Sequence, residues 1–301
     1  KNWAAKDKME ISMAQVDKKD MKPEAARIAG NRPVYDFNIY VDGQKVTNFA
    51  GSRAVEITLG YDPNPGESPG KIVVYRIKDN GELEVVKYSK FDEKSKTVTF
   101  GTDRLSNYYI VKEATVTFKD VEETGWSKYY IDALAARGII SGKGESRFAP
   151  GDHITRAEFL KLLMETVDLI DDQAESAFRD VEKEAWYYQA VASAEKLGIV
   201  SGVGDDRFGT HDLITRQDMA VMVYRAAKSA RIDLKKVTDR ASFSDMADIG
   251  DYALDSVLAL QAAGILDGMD DNRFDPQGRT TREQAAKVIY LLFEQILNDH
   301  E

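Results

Sequence analysis

The 301-residue chain is 43% hydrophobic and 31% charged, a composition typical of a globular protein. Its formal net charge of −10 argues against nucleic acid and anionic membrane as main partners, because both select clustered Lys and Arg. The absence of cysteine excludes disulfides, thiolate metal sites and cysteine catalysis. No apolar run approaches the roughly 18 residues that a membrane span needs, so we expect no membrane insertion.

Residues 1–115 predict an antiparallel, sandwich-like β-domain. A short helix is expected near Lys22–Ala29, and the segments after it alternate apolar and polar residues, which is the period of a strand. Asn80-Gly81 predicts a hairpin, because both residue types accept positive φ. The expected strands are VYDFNIYV, KVTNF, AVEITLGY, KIVVYRI, ELEVVKY, KTVTF and NYYIV.

The first thirty residues are charged and lack the apolar segment of a signal peptide. This pattern is compatible with a cytoplasmic chain, a processed chain or a fragment of a longer protein, and the abrupt start at Lys1 favours a fragment. We therefore expect the signal peptide and any upstream domains to lie outside this chain.

Residues 116–301 carry one pattern three times, over 116–175, 176–238 and 239–301. Each copy starts with an F-x-D motif and contains an aromatic residue that is followed, 12 residues later, by the glycine of a Gly-Ile pair (the GI glycine). In each copy an arginine lies eight residues after a phenylalanine. Each copy predicts two helices, the first of which ends at the GI glycine. Because one helix pair cannot bury its own apolar stripe, we expect an all-α pseudo-threefold bundle with one helix of each repeat at its centre.

The second helix of each repeat is expected to open with a capping box, in which a threonine and a residue three positions later satisfy each other's backbone N–H groups. The predicted pairs are Thr155 with Glu158, Thr215 with Asp218, and Thr281 with Gln284. Asp218 is shorter than Glu or Gln, so we expect the second box to be the weakest.

An arginine follows each capping threonine, at the first position of the second helix: Arg156, Arg216 and Arg282. A helix start offers unpaired N–H groups, and a guanidinium adds planar donors suited to a carboxylate or phosphate. One interpretation is therefore an anion site at each of three helix starts. The other is an inter-repeat salt bridge to a repeated aspartate: Asp120, Asp180 or Asp245. The residues alone do not decide between them.

The repeated aromatic residues Trp126, Trp186 and Tyr252 also allow two interpretations. Either they line a groove as a stacking surface for a sugar ring, or they cap the first helix against the core. The residues alone favour the second interpretation. Phe148, Phe208 and Phe274 are expected in the core. The histidines occupy non-equivalent positions and no carboxylate pair stands out, so we predict no catalytic site, metal or cofactor.

Residues 118–297 resemble three tandem S-layer homology (SLH) domains. The motifs that carry the resemblance are F-x-D, the following tryptophan, GI-x-x-G, R-F-x-P and the ITRAE box at 154–158. The resemblance implies a pseudo-trimer with grooves between adjacent repeats, and a noncovalent anchor on the bacterial cell wall. It implies a secondary cell wall polysaccharide as partner, typically with pyruvylated N-acetylmannosamine.

The resemblance also implies which residues contribute to the ligand grooves. They are Arg156, Arg216 and Arg282, Asp120, Asp180 and Asp245, Trp126 and Trp186, and Gly142, Gly202 and Gly268. The third repeat departs from the family pattern, with Tyr252 in place of tryptophan, and the second has Thr210 in place of proline. We expect three grooves that need not bind equally, with the third repeat the weakest.

The N-terminal half resembles, less specifically, a β-module that often precedes SLH repeats in Gram-positive surface proteins, where it is expected to act as a spacer. The expected function is therefore cell-wall anchoring without enzymatic activity. Two alternatives remain: an anchoring fragment of a surface glycoside hydrolase whose catalytic domain lies outside this chain, and a self-associating structural module. The resemblance also allows lateral contacts with other surface-layer subunits.

Overall fold

The computed structural model of the chain describes residues 9–46, 55–78, 80–102, 108–121, 125–239 and 242–298. It contains two compact units, formed by Lys1–Thr117 with Asp132–Gly138 and by Phe118–Ile131 with Ile139–Glu301. The first unit is rich in strands and the second is helical, as the change of sequence period predicts.

Antiparallel strands build the first unit, which confirms the predicted β-domain. The strands are β1 (Met9–Gln15), β2 (Val34–Val41), β3 (Gln44–Val46), β4 (Val55–Gly60), β5 (Ile72–Ile77), β6 (Leu83–Val86), β7 (Ser89–Asp92), β8 (Thr97–Thr102) and β9 (Tyr108–Glu113). One sheet has the order β1-β2-β9-β5-β6, with β3 paired to β2, and the other has the order β4-β8-β7. Helix α1 spans Pro23–Ala29, within the predicted segment.

The two sheets share one apolar core, so the unit is sandwich-like. In β8, Val98, Phe100 and Thr102 are buried and alternate with less buried residues, which is the pattern of a strand with one face on a core. Phe100 packs against Phe37 of β2 and Tyr109 of β9, with ring centroids 6.2 and 5.3 Å apart. The period-2 alternation in the sequence therefore places these rings between the sheets.

Two strands were not predicted. β1 pairs with β2 along its whole length, with Met9 opposite Val41 and Gln15 opposite Tyr35. Its apolar residues alternate, but Ile11 and Met13 are 70% and 61% exposed, so no core burial accompanies the pattern. β7 has only four residues and pairs with β8. Residues 47–49, 54 and 107 of the predicted strands lie outside the described residues.

The first unit also includes residues of the first helical repeat, so the division of the chain does not fall at one point near residue 115. Arg137, 6% exposed, donates from Nη1 to the carbonyl of Gly70 at 2.9 Å and from Nε to the carbonyl of Ser89 at 3.0 Å. These bonds satisfy the carbonyls of Gly70, in a short 3-10 helix before β5, and of Ser89, at the start of β7, and they tie Asp132–Gly138 to the rest of the unit.

Each repeat contributes two helices, as predicted. They are α2 (Lys128–Ala136) and α3 (Arg156–Thr166), α4 (Tyr188–Lys196) and α5 (Arg216–Ser229), and α6 (Asp251–Ala262) and α7 (Arg282–Asn298). Gly138, Gly198 and Gly264 follow the first helices with φ between 68° and 71°, the left-handed conformation that glycine adopts readily. The predicted core phenylalanines Phe148, Phe208 and Phe274 are at most 2% exposed.

The capping boxes differ as the sequence predicts. Thr155 and Glu158 form both reciprocal bonds, at 3.2 and 2.9 Å, and the pair in the third repeat does the same. In the second repeat the Thr215 hydroxyl accepts from the backbone of Asp218 at 3.2 Å. The Asp218 carboxylate bonds elsewhere, because its side chain is too short to return to the start of the helix.

A closed ring of backbone hydrogen bonds joins the three repeats just before their second helices. The Ile154 N–H donates to Thr280, the Thr280 N–H to Ile214, and the Ile214 N–H to Ile154, at 3.0–3.1 Å. α3 contacts both α5 and α7. This cyclic arrangement confirms the predicted all-α pseudo-threefold bundle. None of the helices in the described ranges has the length and apolarity that crossing a membrane requires.

Candidate functional site

The three helix-start arginines each bind the next repeat in a cycle. Nε donates to a phenylalanine carbonyl and Nη2 to a carbonyl in the GI-x-x-G segment of that repeat. The Nε bonds join Arg156 to Phe208 at 3.1 Å, Arg216 to Phe274 at 2.6 Å and Arg282 to Phe148 at 2.8 Å. The Nη2 bonds join Arg156 to Ser201 at 3.5 Å, Arg216 to Asp267 at 3.0 Å and Arg282 to Ser141 at 3.1 Å.

Each guanidinium also lies over the ring of the phenylalanine that it contacts, 4.5–5.1 Å from the centroid, which adds a cation–π attraction. The three arginines are 6–8% exposed. Burial is the main effect on these groups and lowers the pKa of Arg156, Arg216 and Arg282 below the usual arginine range. The arginines therefore brace the repeats from within the bundle.

The contacts at each helix start bear on both sequence-based interpretations of the arginines. The backbone N–H of Arg156 donates to Asp212, and that of Ala157 donates to Thr210, with equivalent bonds in the other repeats. The first two backbone N–H groups of each second helix thus donate within the bundle and are not available to an anion. The salt bridges to Asp120, Asp180 and Asp245 are not formed either, because those carboxylates bind their own repeats.

Each repeated aspartate accepts hydrogen bonds from a loop of its own repeat. This loop, called the RF loop, contains the Arg-Phe pair 147–148, 207–208 or 273–274. Asp180 accepts from the backbone N–H of Phe208 at 2.7 Å and of Gly209 at 2.8 Å, and Asp120 and Asp245 accept in the same way. Burial alone would raise the pKa of these carboxyls, but the backbone donors outweigh it and hold the pKa of all three below the usual aspartate range.

Asp180→Asn is expected to lower the free energy of unfolding by about 1.5–3 kcal/mol at pH 7, the range for hydrogen bonds to a charged group. Because the folded-state pKa is depressed, this stabilisation is present above the unfolded pKa and is lost as the pH falls through the folded pKa. Denaturant titrations between pH 7 and 3 should therefore show a shallower acid loss in Asp180→Asn than in the wild type. The exposed Asp172→Asn is the control, and equal acid profiles for both variants would contradict the assignment.

Close backbone approach requires glycine at two of the three repeated positions, Gly142 and Gly202. A Cβ at Gly142 would lie 2.5 Å from the Arg147 carbonyl oxygen, and a Cβ at Gly202 would lie 2.7 Å from the Arg207 carbonyl oxygen. At Gly268 the nearest atoms would be 3.3 Å away, so that position is less crowded. The glycines therefore let the GI-x-x-G segment lie against the RF loop of the same repeat.

One groove of the helical unit encloses a cavity of about 360 Å³, within the size range of small-ligand sites. All three repeats contribute to it. Its polar lining comes from Arg156 of the first repeat, Ser201, Asp218 and Arg225 of the second, and Tyr252 of the third. Gly202, Val203, Val221 and Met222 are among the remaining lining residues.

Asp218 and Tyr252, two of the departures from the repeat pattern, meet in this groove. The Tyr252 hydroxyl donates to Asp218 Oδ1 at 2.7 Å and accepts from Gln217 Nε2 at 2.7 Å. Burial, with the bond to Asp218, raises the pKa of Tyr252 to about 12. Asp218 Oδ2 lies 3.4 Å from Arg156 Nη1. Asp218 thus balances the positive charge of the buried Arg156 guanidinium and also accepts the hydrogen bond that positions Tyr252.

The repeated aromatic residues are not capped against the core, which corrects that interpretation. Trp126, Trp186 and Tyr252 are 51%, 59% and 56% exposed. Lys287 Nζ lies 6.0 Å from the Trp126 ring centroid and 2.6 Å from Asp267 Oδ2. The Asp267 carbonyl also accepts from Arg216, so Lys287 links Trp126 to the segment that Arg216 contacts.

A family model of the S-layer homology domain matches residues 117–160, 177–220 and 242–286. An amylopullulanase of Thermoanaerobacterium thermosulfurigenes is 31% identical over 247 residues, 82% of this chain and 13% of that protein. The exoglucanase XynX of Acetivibrio thermocellus is 32% identical over 62% of this chain and 17% of its own length. The S-layer protein sap of Bacillus anthracis is 30% identical over 60% of this chain and 21% of its own length.

The chain thus spans less than a quarter of the length of each of these relatives. The alignment with the amylopullulanase is longer than residues 117–301, so the similarity extends into the N-terminal unit. The matched domains and the S-layer relatives indicate a cell-surface location and an anchoring role.

Proposed function

We propose that the chain anchors its parent protein by binding a secondary cell wall polysaccharide in the grooves between repeats. The proposal follows from the three tandem S-layer homology domains within residues 117–286. The proposed ligand is pyruvylated N-acetylmannosamine within that polymer. The proposal depends mainly on the cavity that all three repeats line together, since it combines positively charged side chains, hydrogen-bonding groups and an exposed ring. We assign no catalytic role to this chain.

The proposed roles of the groove residues follow from their contacts. Trp126 and Trp186 supply exposed ring faces for sugar stacking. Arg156, Arg216 and Arg282 form the groove floors with positive charge. Asp120, Asp180 and Asp245, and Gly142, Gly202 and Gly268, shape the loops at the groove edges. Three linked grooves on one polymer raise avidity by about 10²–10⁴ over one site if all can engage together.

A second candidate is the anchor of a surface glycoside hydrolase. It is favoured by the relatives named amylopullulanase, exoglucanase and endoglucanase, each far longer than this chain. Both candidates require the same polysaccharide binding and differ in the rest of the parent protein, which is a catalytic domain in one and a surface-layer subunit in the other. Lateral contacts with other surface-layer subunits belong to the first.

Substitution of the exposed tryptophans tests the proposed binding without disturbing the core. Trp126→Ala combined with Trp186→Ala is expected to reduce co-sedimentation with isolated wall polymer at least tenfold, because sugar stacking is lost in two grooves. Leu197→Ala, which removes a 43% exposed apolar side chain of the same unit, is the control. Equal binding by the double variant, the control and the wild type would contradict the proposed grooves.

A further inference from the structure

The Arg156 groove contains a second arginine that the repeat pattern does not explain. Arg225 lies on α5, nine residues after Arg216, and lines the 360 Å³ cavity. The corresponding residues are Glu165 in the first repeat and Leu291 in the third. An arginine at this position of the second helix is therefore particular to the second repeat.

Arg156 is poorly placed to receive an anion in this groove. Its side chain is 7% exposed, and its Nε and Nη2 atoms donate to the carbonyls of Phe208 and Ser201. Its Nη1 atom lies 3.4 Å from the Asp218 carboxylate. A second carboxylate at the same place would meet the negative charge of Asp218 at short range, which is unfavourable in a partly buried site.

Arg225 has the opposite properties. It is partly exposed, and the described residues give its guanidinium one long hydrogen bond, from Nη1 to the Ser201 hydroxyl at 3.4 Å. A guanidinium carries five N–H donors, so most remain available for a planar carboxylate. The apolar side chains of Val221 and Met222 line the same cavity.

We propose that Arg225 is the anion-binding residue of this groove and receives the carboxylate of an acidic sugar, such as a pyruvyl ketal. In this arrangement Asp218 accepts from sugar hydroxyls, and the exposed ring of Tyr252 packs against the sugar. The inference depends on the proposed polysaccharide binding. It goes beyond that proposal because it moves the anion contact from the repeated arginine to a residue found in one repeat only.

The test compares Arg225→Gln with Lys228→Gln, which removes the same charge from an exposed position on the same helix. Isothermal titration with a pyruvylated wall disaccharide should show one class of sites weakened at least tenfold in Arg225→Gln, the effect of losing a charge-assisted hydrogen bond. Lys228→Gln should bind as the wild type does. Tryptophan fluorescence, to which Trp126 and Trp186 contribute together with Trp3, should respond to the ligand equally in all three proteins.

The outcomes separate the two proposals. If the wild type binds the disaccharide and Arg225→Gln gives the same isotherm, the assignment of Arg225 is wrong and the anchoring function stands. Weakening of equal size in Lys228→Gln would also overturn the assignment, because it would reflect net charge alone. If the wild type binds neither the disaccharide nor wall polymer, the proposed function fails and the assignment fails with it.

Discussion

Arg216→Ala is expected to lower the free energy of unfolding of the helical unit by about 3–5 kcal/mol, because it removes two hydrogen bonds and a buried side chain. The variant leaves the carbonyls of Phe274 and Asp267 without their donor and leaves a void beside the Phe274 ring. Denaturant unfolding followed by circular dichroism measures the change. The expected loss is large because these bonds join one repeat to the next.

Arg207→Ala is the matched control for this prediction. Arg207 repeats with the same regularity as Arg216, but it is exposed. Its removal should change the free energy of unfolding by less than about 0.5 kcal/mol, as for most surface substitutions. If Arg216→Ala destabilised the chain no more than Arg207→Ala, the arginine would not brace the bundle, and its repetition would need a different explanation.

Gly142→Ala is expected to destabilise the chain by about 2–3 kcal/mol, within the usual range for overpacking a rigid site. The added methyl group would meet the Arg147 carbonyl oxygen at 2.5 Å and Phe118 Cε1 at 2.8 Å, and neither atom belongs to a flexible side-chain end. The same measurement of unfolding free energy applies. Movement of the GI-x-x-G segment should also weaken polysaccharide binding, since this segment receives Arg282 through Ser141.

Gly268→Ala provides an internal comparison, because its nearest neighbours would be 3.3 Å from the new methyl group. We expect this variant to lose less than about 1 kcal/mol. A loss as large as that of Gly142→Ala, or no loss in either variant, would show that close approach does not explain the repeated glycine.

The sequence predicted what depends on local chemistry. The helix starts at Arg156, Arg216 and Arg282, and the left-handed glycines after the first helices, follow from capping and φ preferences that act within a few residues. The weak second capping box followed from the length of one side chain. The sandwich-like unit followed from alternation, except where β1 lies outside the core and β7 is too short to show a period.

The partners of the repeated residues were beyond sequence reasoning. A repeat pattern shows that an arginine recurs but not that Arg156 donates to Phe208 of the next repeat, because that contact depends on how the repeats close into a ring. For the same reason, the repeat pattern does not show that Asp180 accepts from backbone N–H groups of its own repeat. Arg225 was missed because it occurs in one repeat only, and a comparison of repeats emphasises what they share.

The measurement that tests the anchoring function most directly is calorimetric titration of the intact chain with isolated wall polymer, before and after chemical removal of pyruvate. We expect binding to the native polymer and a loss of at least a hundredfold after depyruvylation, because the cationic groove residues lose their carboxylate partner. Unchanged affinity after pyruvate removal would contradict recognition of an acidic sugar in these grooves.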